Sequence, residues 1–368
     1  MMTRNGIARP LISSKRFKEL LLKWNTEQNK RQMPWKGEKD PYKIWLSEII
    51  LQQTRVEQGL SYYQNFIKTF PDIHKLAKAP EQKVFKLWEG LGYYTRCKNL
   101  IRTARYILKE RKGKFPDHYD EIKNLKGVGP YTASAIASFA FNLPHAVVDG
   151  NVFRVLARIF GKDIPVDSTE GKKYFTELAN ELLDKKQPGI YNQAIMDFGA
   201  VVCKPVPLCD KCPFKKDCTA FLNNKIHELP VKEKKITIRK RWFYYLLLEY
   251  KNEILIHQRT EKDIWQQLYE FPLIESEKEI SSKKILANAT MKIFLKKNNY
   301  ELIAVSPLFR QQLSHQLIAG QFIKIKLKRK YSPKGNWFWI ERNKLDKYPF
   351  PQFINQYLKE RSALQSLF

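Results

Sequence analysis

Leu125-Lys126-Gly127-Val128-Gly129-Pro130-Tyr131-Thr132-Ala133 is followed, one helix and its loop later, by Val148-Asp149-Gly150-Asn151-Val152. The first stretch reads as a glycine hairpin opening onto a small-residue helix. Glycine at 127 and 129 allows positive φ and close backbone approach. The amides of such a hairpin, beside a helix N-terminus, form a concave anion site that suits a phosphate. The second stretch puts an acidic residue just ahead of another helix. Read singly, a G-x-G is a turn and Asp149 an N-cap or Asp-Gly turn residue; together they join an anion site to a carboxylate at the far end of one helix.

Outward from this pair the pattern is helical from Ser14 to about Leu222. Phe17, Leu20, Leu21 and Trp24 recur at helical spacing over Lys15–Asn29. Tyr42–Gln52, Val56–Phe70, Glu81–Gly90, Tyr94–Glu110, Tyr131–Phe141, Asn151–Phe160, Thr169–Leu183 and Tyr191–Val202 follow, punctuated by prolines. That predicts an all-α unit. Asn223–Lys235, lysine-rich with Pro230, reads as a linker. Composition then shifts to short β-rich runs at Trp242–Tyr250, Glu253–Gln258, Leu302–Phe309, Gln321–Leu327 and Asn336–Ile340. Ser276–Lys297 and Pro351–Ser362 read as helices, so the second unit is α+β.

The 368 residues suffice for two domains with their own cores. Lysine and arginine number 66 against 37 acidic residues, a formal charge of +29 that suits a polyanion, most simply DNA. Aromatic content of 13% argues against a disordered chain. The longest apolar runs, such as Phe243–Leu248, fall far short of a membrane span, and the first sixteen residues carry no hydrophobic signal core. A cytoplasmic, nucleoid-associated protein is expected.

Four of the five cysteines, Cys203, Cys209, Cys212 and Cys218, form a C-x5-C-x2-C-x5-C set. Four thiolates in one short loop suit a [4Fe–4S] cluster or a Cys₄ zinc. Clustered cysteines in a basic chain point to metal more than to disulfides. Cys97 stands apart in a helical stretch. Glu48, in Trp45-Leu46-Ser47-Glu48-Ile49-Ile50-Leu51, has Ile44, Trp45 and Leu51 as helical neighbours. A carboxyl on that apolar face is desolvated, and its pKa should rise toward what a general acid needs near neutrality. Asp149, bonded by amides at a capping position, should stay ionised. One protonated and one ionised carboxyl is the division of labour used in glycosyl cleavage through oxocarbenium-like states.

The hairpin with Asp149 resembles the helix-hairpin-helix DNA glycosylase superfamily. The cysteine spacing resembles the iron–sulfur loop of the endonuclease III-like members, one residue short in its first gap (Lys204–Leu208). Pro34-Trp35, Asp40-Pro41-Tyr42 and Gln52-Gln53-Thr54-Arg55-Val56 resemble the adenine DNA glycosylases (MutY type), which place their proton donor at the position of Glu48. Tyr131 also resembles that family; bifunctional members carry a lysine there that attacks the sugar as a Schiff-base amine. Gln312-Leu313-Ser314-His315 and Glu270-Phe271-Pro272 resemble the family's C-terminal, Nudix-like domain, with Leu313 where phenylalanine is usual. The chain has no glutamate-rich Nudix box, so that domain is expected to bind and not to hydrolyse.

The resemblance implies a mainly α, helix-hairpin-helix glycosylase fold with an iron–sulfur cluster loop, then a smaller α+β Nudix-like domain. It implies a helical catalytic region over 1–222, a linker over 223–236 and a lesion-recognition domain over 237–368. Within the first, about 31–143 would form a six-helix bundle, and 15–30 with 144–222 a cluster subdomain. It implies excision of adenine opposite 8-oxoguanine or guanine by base flipping and acid-assisted hydrolysis, with Glu48 as acid, Asp149 as cation stabiliser and Tyr131 and Asn151 in support. Arg31, Gln53, Thr54, Leu91, Tyr93, Lys126, Gly127 and Gly129 would contact DNA, Ser314 and His315 would read 8-oxoguanine, and the four cysteines would hold one [4Fe–4S] cluster. A monomer on double-stranded DNA is implied. The alternatives are a bifunctional endonuclease III-like pyrimidine glycosylase/lyase, against which Tyr131 speaks, and a non-catalytic binder of damaged DNA, against which Glu48 and Asp149 speak.

Overall fold

A computed structural model describes residues 12–233, 237–281, 284–285, 294–295 and 300–365. They fall into two units: one runs to Lys78 and resumes over Arg102–Lys235, the other takes Ala79–Ile101 and everything from Ile236 onward.

The first unit is helical. Its helices are α1 (Ser14–Glu27), α2 (Pro41–Leu51), α3 (Val56–Thr69) and α4 (Ile73–Lys78), then, beyond α5 (Glu81–Trp88) and α6 (Tyr94–Glu110), α7 (Tyr119–Lys123), α8 (Pro130–Phe141), α9 (Gly150–Phe160), α10 (Thr169–Leu182), α11 (Pro188–Val201) and α12 (Thr219–Leu222). Side-chain caps set several starts. Ser13 accepts from the Arg16 amide, Asp40 from Tyr42, and Ser168 from Gly171. The nine predicted helices are present with ends shifted by up to three residues. The short helices α4, α7 and α12 were not predicted, because a turn or two carries too little periodicity to register.

Two of these helices lack a polar face. Helix α2 buries Tyr42, Ile44–Ile50 in an unbroken run, and α8 buries Thr132–Ser138. The small side chains of α8 let it lie close to α2, where Gln52 Nε2 donates to Thr132 Oγ1 at 3.1 Å. A second core gathers Phe17, Leu21 and Trp24 of α1 against Val155, Phe175 and Phe198 from α9, α10 and α11. Phe214, from inside the cysteine loop, plugs this core. It lies 4.9 Å from Phe17 and 5.2 Å from Phe198, centroid to centroid, so the loop is anchored by apolar packing. Truncating such a buried ring costs about 3–5 kcal/mol.

The second unit holds an eight-stranded sheet: β1 (Arg239–Tyr250), β2 (Glu253–Gln258), β3 (Tyr269–Glu270), β4 (Leu273–Ser276), β5 (Tyr300–Val305), β6 (Phe309–Gln312), β7 (Gln316–Leu327) and β8 (Trp337–Glu341). Its main path is β3-β2-β1-β7-β5; β4 pairs with β1, β6 with β7 and β8 with β2. The centre is the parallel pair β1–β7, in register from Arg239↔Gln316 to Glu249↔Lys326. Phe243–Leu248 are buried without alternation because both faces are covered. Tyr244, Leu246 and Leu248 face one core with Ile323 and Ile325. On the other side Tyr245 and Phe322 pack on Phe353 of the terminal helix Gln352–Gln365.

The predicted strand 302–309 is two strands, parted at Pro307. Strand β7 begins five residues ahead of the predicted 321, because its first half is in part polar and contains Gly320. That glycine is required: a Cβ would meet the Phe243 carbonyl oxygen at 1.7 Å. Strands β6 and β7 form a hairpin whose turn puts Ser314 and His315 at the tip, with the Leu313 amide donating to the Gln316 carbonyl at 2.7 Å. The predicted helix 276–297 lies largely outside the described residues. No helix among the described residues is long and apolar enough to cross a membrane.

Candidate active site

The glycine stretch folds as a turn between α7 and α8. Gly127 has φ +83°, in the region that favours glycine. Gly129 does not: it is the N-cap of α8 with φ −93°, so its glycine is not there for positive φ. A Cβ at 129 would meet nothing within 4 Å, so the backbone faces open space. Lys126 and both glycines are exposed, and Thr103 Oγ1 fixes the turn by donating to the Lys126 carbonyl at 2.9 Å.

Between α2, α8, α9 and α11 lies a cavity of about 810 Å³ that Glu48, Tyr131, Asp149 and Asn151 all line. Residues far apart in sequence meet there because two apolar helices meet. Glu48 rides on α2 and is 6% exposed; Tyr131 opens α8. Asp149 caps α9, with Oδ1 accepting from the Val152 amide at 2.7 Å. The loop ahead of it is pinned by Asn192, fully buried on α11. Its Oδ1 accepts from the Val147 amide at 3.1 Å, and its Nδ2 donates to the His145 carbonyl and Ser138 Oγ, both at 2.9 Å.

Burial pushes the Glu48 carboxyl up to about 7, with the hydrogen bond from the Tyr131 hydroxyl pulling down and the charge of Asp149 pushing further up. That is the direction the apolar helix face predicts. Asp149 departs from expectation. Its capping bonds do not keep it in the ordinary range: burial raises it, and the bonds from Val152 and Asn151 with the charge of Arg154 only moderate the rise. The proton still belongs on Glu48. That carboxyl receives one hydroxyl among apolar neighbours, whereas Asp149 receives a backbone amide and a side-chain amide.

A chain of bonds runs outward from Asp149. Asn151 Nδ2 donates to Asp149 Oδ2 at 2.9 Å, Arg154 Nη2 to Asn151 Oδ1 at 2.7 Å, and Arg154 Nε to the Cys203 carbonyl at 2.8 Å. Arg154 and Asn192 escaped the sequence reading. The signal for Arg154 was there: it follows Asn151 by one helical turn.

Cys203, Cys209, Cys212 and Cys218 line one small cavity. Burial raises Cys203 and Cys218 and takes Cys212 to about 12, the other thiolates pushing the same way. Sulfurs gathered in this space, once deprotonated, favour a bound cation, which fits a metal group. Among the described residues no three of these sulfurs lie within 4.8 Å of one another. A single tetrahedral zinc with Zn–S bonds of about 2.3 Å would need sulfurs roughly 3.8 Å apart. Arg158, 3% exposed on α9, clamps the shortened first gap by donating to the Lys204 carbonyl at 2.7 Å and the Pro205 carbonyl at 2.9 Å.

Of the remaining predicted contacts, Arg31, Gln53 and Thr54 line the same cavity as Glu48. Leu91 is buried, 5% exposed. In the second unit, Tyr93 (φ +48°) is hydrogen-bonded through its hydroxyl to Ser314, and both line a cavity of about 480 Å³ with His315.

The HhH-GPD superfamily base excision DNA repair protein family model matches residues 46–185, and a NUDIX domain model matches 243–360. An adenine DNA glycosylase of Buchnera aphidicola subsp. Baizongia pistaciae is 38% identical over 307 residues, 81% of this chain and 83% of that protein. The adenine DNA glycosylase of Homo sapiens is 40% identical over 214 residues, 55% of this chain and 39% of that protein. A thermostable thymine-DNA glycosylase structure aligns with TM-score 0.52 and 30% identity over 57% of this chain and 97% of its own. A trapped endonuclease III–DNA covalent intermediate shares the fold at 18% identity and TM-score 0.50 over 58% of this chain and 99% of its own.

Proposed function

Because the chain belongs to the adenine DNA glycosylase family, within the HhH-GPD superfamily of base excision DNA repair proteins, we propose that it removes adenine paired with 8-oxoguanine, or with guanine, from double-stranded DNA, working as a monomer. The observation that carries this reading is the meeting of Glu48, Tyr131 and Asp149 in one cavity. Phosphates bind the exposed backbone at Gly127 and Gly129 and the basic surface. The adenine is turned out of the stack into the cavity. Glu48, protonated near neutrality, delivers its proton to N7. The C1′–N9 bond breaks and its electron pair leaves with the base. Asp149 stabilises the oxocarbenium, oriented by Asn151. Water adds at C1′ and gives up a proton to the carboxylate pair, leaving an abasic site.

Tyr131 cannot form an imine, so the strand stays intact. Product strands should appear only after alkali or heat in a cleavage assay on 8-oxoguanine:adenine duplex. Cleavage without alkali, with a borohydride-trapped adduct that depends on one lysine, would instead support the glycosylase/lyase alternative; no excision at all would support the non-catalytic one.

The four cysteines are read as ligands of one [4Fe–4S] cluster. When bound, it would supply iron–thiolate bonds that hold the loop from Cys203 to Cys218 in one shape. Tyr93, Ser314 and His315 are read as the group that reads 8-oxoguanine, which differs from guanine at C8 and N7.

A further inference from the structure

Arg241 on β1 is 6% exposed. Its Nε and Nη2 donate to the two oxygens of Glu275 on β4 at 2.6 and 2.7 Å, and its Nη1 and Nη2 to those of Asp263 at 2.9 and 2.7 Å. Nη1 also donates to Gln316 Oε1 at 3.2 Å. These bonds use all five donors of a guanidinium. Three segments of the second unit thus meet on one cation: β4, the loop between β2 and β3, and the first residue of β7. Two of them border the cavity of about 480 Å³, since Asp263 and Gln316 line it with Tyr93, Ser314 and His315. Gln316 directly follows His315, whose carbonyl accepts from the Arg239 amide at 3.0 Å, so β1 holds this end of the hairpin at two points. Arg259 holds the Asp263 loop a second time, through Asp263 Oδ2 at 3.0 Å and the Ile264 carbonyl at 3.1 Å. That loop runs into Trp265 and Gln267 at φ +62° and +76°, a costly conformation for non-glycine residues that persists only where the surroundings impose it. Burying a cation among carboxylates is a poor route to stability, since desolvation cancels much of the attraction. The arrangement makes more sense as a way of fixing two loops against each other.

We propose that Arg241 is a positioning residue for lesion recognition: its guanidinium ties the Asp263 loop to the hairpin residue beside Ser314 and His315, and so sets the width of the cavity that takes 8-oxoguanine. A guanidinium is planar and its donors point in fixed directions, so partners on three sides are held in one plane at set spacings. A lysine ammonium in its place is a point charge on a flexible stem and imposes no such plane. 8-Oxoguanine differs from guanine only at C8 and N7, and a reader displaced by about an ångström loses so small a distinction. Ser314 and His315 sit at a hairpin tip, and Arg241 supplies the support behind it. The proposal rests on the reading of Ser314 and His315 as the group that meets 8-oxoguanine, and it assigns that group its anchor.

The test compares single-turnover excision of adenine opposite 8-oxoguanine and opposite guanine. The full chain is assayed as wild type, Arg241→Lys, Gln316→Leu, Gln316→Glu and the double variant Arg241→Lys with Gln316→Leu. The preference for 8-oxoguanine should narrow about tenfold or more in Arg241→Lys, the scale of a lost hydrogen bond to a charged group. Gln316→Leu should narrow it about three- to tenfold, and the double variant no further than Arg241→Lys, since both act through one bond. Gln316→Glu keeps an acceptor for Arg241 and should keep the wild-type ratio. An Arg241 that only stabilises the sheet would lower the melting temperature and leave the wild-type ratio in both Arg241→Lys and Gln316→Leu; that result overturns the proposal. If circular dichroism shows Arg241→Lys unfolded, the two variants at 316 decide: a narrowed ratio in leucine beside the wild-type ratio in glutamate supports the anchor, and equal ratios in the two overturn it. Ser314→Ala with His315→Ala separates the proposal from the reading beneath it. If that variant loses the preference while Arg241→Lys and Gln316→Leu keep it, the proposal alone falls; if it keeps the preference, the reading falls and the proposal with it.

Discussion

Asn151 donates to the Asp149 carboxylate at 2.9 Å while its own carbonyl is held by Arg154 at 2.7 Å. The amide therefore has one orientation, with the nitrogen toward the group that must face a cation. Arg154 also donates to the Cys203 carbonyl, which belongs to the cysteine loop. Loop and carboxylate are thus two ends of one hydrogen-bonded chain.

Arg154→Gln should break that chain without touching the carboxylate. Excision should fall by about tenfold or more, in keeping with the 1.5–3 kcal/mol of a hydrogen bond to a charged group, while duplex affinity stays close to wild type. Single-turnover rates beside a binding titration check this; unchanged excision would show that Asn151 holds its orientation alone.

The pH profile should follow Glu48. With its carboxyl at about 7, the acid form is present below that pH and lost above it, so excision should drop about tenfold per unit on the alkaline side. The same shift enters folding. The folded value lies above the ordinary 4.5, so the stabilisation from proton binding is complete below 4.5 and lost as pH rises through about 7, up to about 3 kcal/mol. Glu48→Gln should therefore melt higher than wild type at pH 8 and close to it at pH 4.5. Equal melting at both would mean that the buried charge is not costly.

Purified protein should be yellow-brown and carry about four irons per chain, in keeping with a [4Fe–4S] site. Arg158→Ala should lower iron content, because the carbonyls of Lys204 and Pro205 lose their clamp. One zinc per chain and little iron would contradict the cluster.

Most of the helical unit was legible because its helices are long, capped and apolar on a periodic face. The acid was legible too, since Ile44, Trp45 and Leu51 surround Glu48 within its own helix. The opposite wall of the cavity was not. Arg31, Lys36 and Asp197 come together only through the packing of α11 against the segment after α1, and no local pattern links residues so far apart. Asp197 left one trace, a lone carboxylate in an otherwise uncharged helix. The rise in the Asp149 pKa was not legible, because its amide bonds are local and visible, whereas its burial is a tertiary effect.

Lesion preference should depend on the tip of the β6–β7 hairpin. Ser314→Ala with His315→Ala should reduce the preference for 8-oxoguanine:adenine over guanine:adenine by about 5- to 150-fold, the range for a lost discriminating bond. Tyr93→Phe should lose part of it, since its hydroxyl is bonded to Ser314. Excision from the two duplexes in the three proteins is the comparison. The same ratio in all would leave this hairpin a structural element.

The central claim is the division of labour between Glu48 and Asp149, and single-turnover adenine excision by wild type, Glu48→Gln and Asp149→Asn addresses it most directly. Each variant should lose about 10³-fold or more, the upper part of the range for one acid–base group, with duplex binding nearly unchanged because phosphate contacts dominate affinity. Excision within tenfold of wild type in either variant would contradict the assignment of that carboxyl.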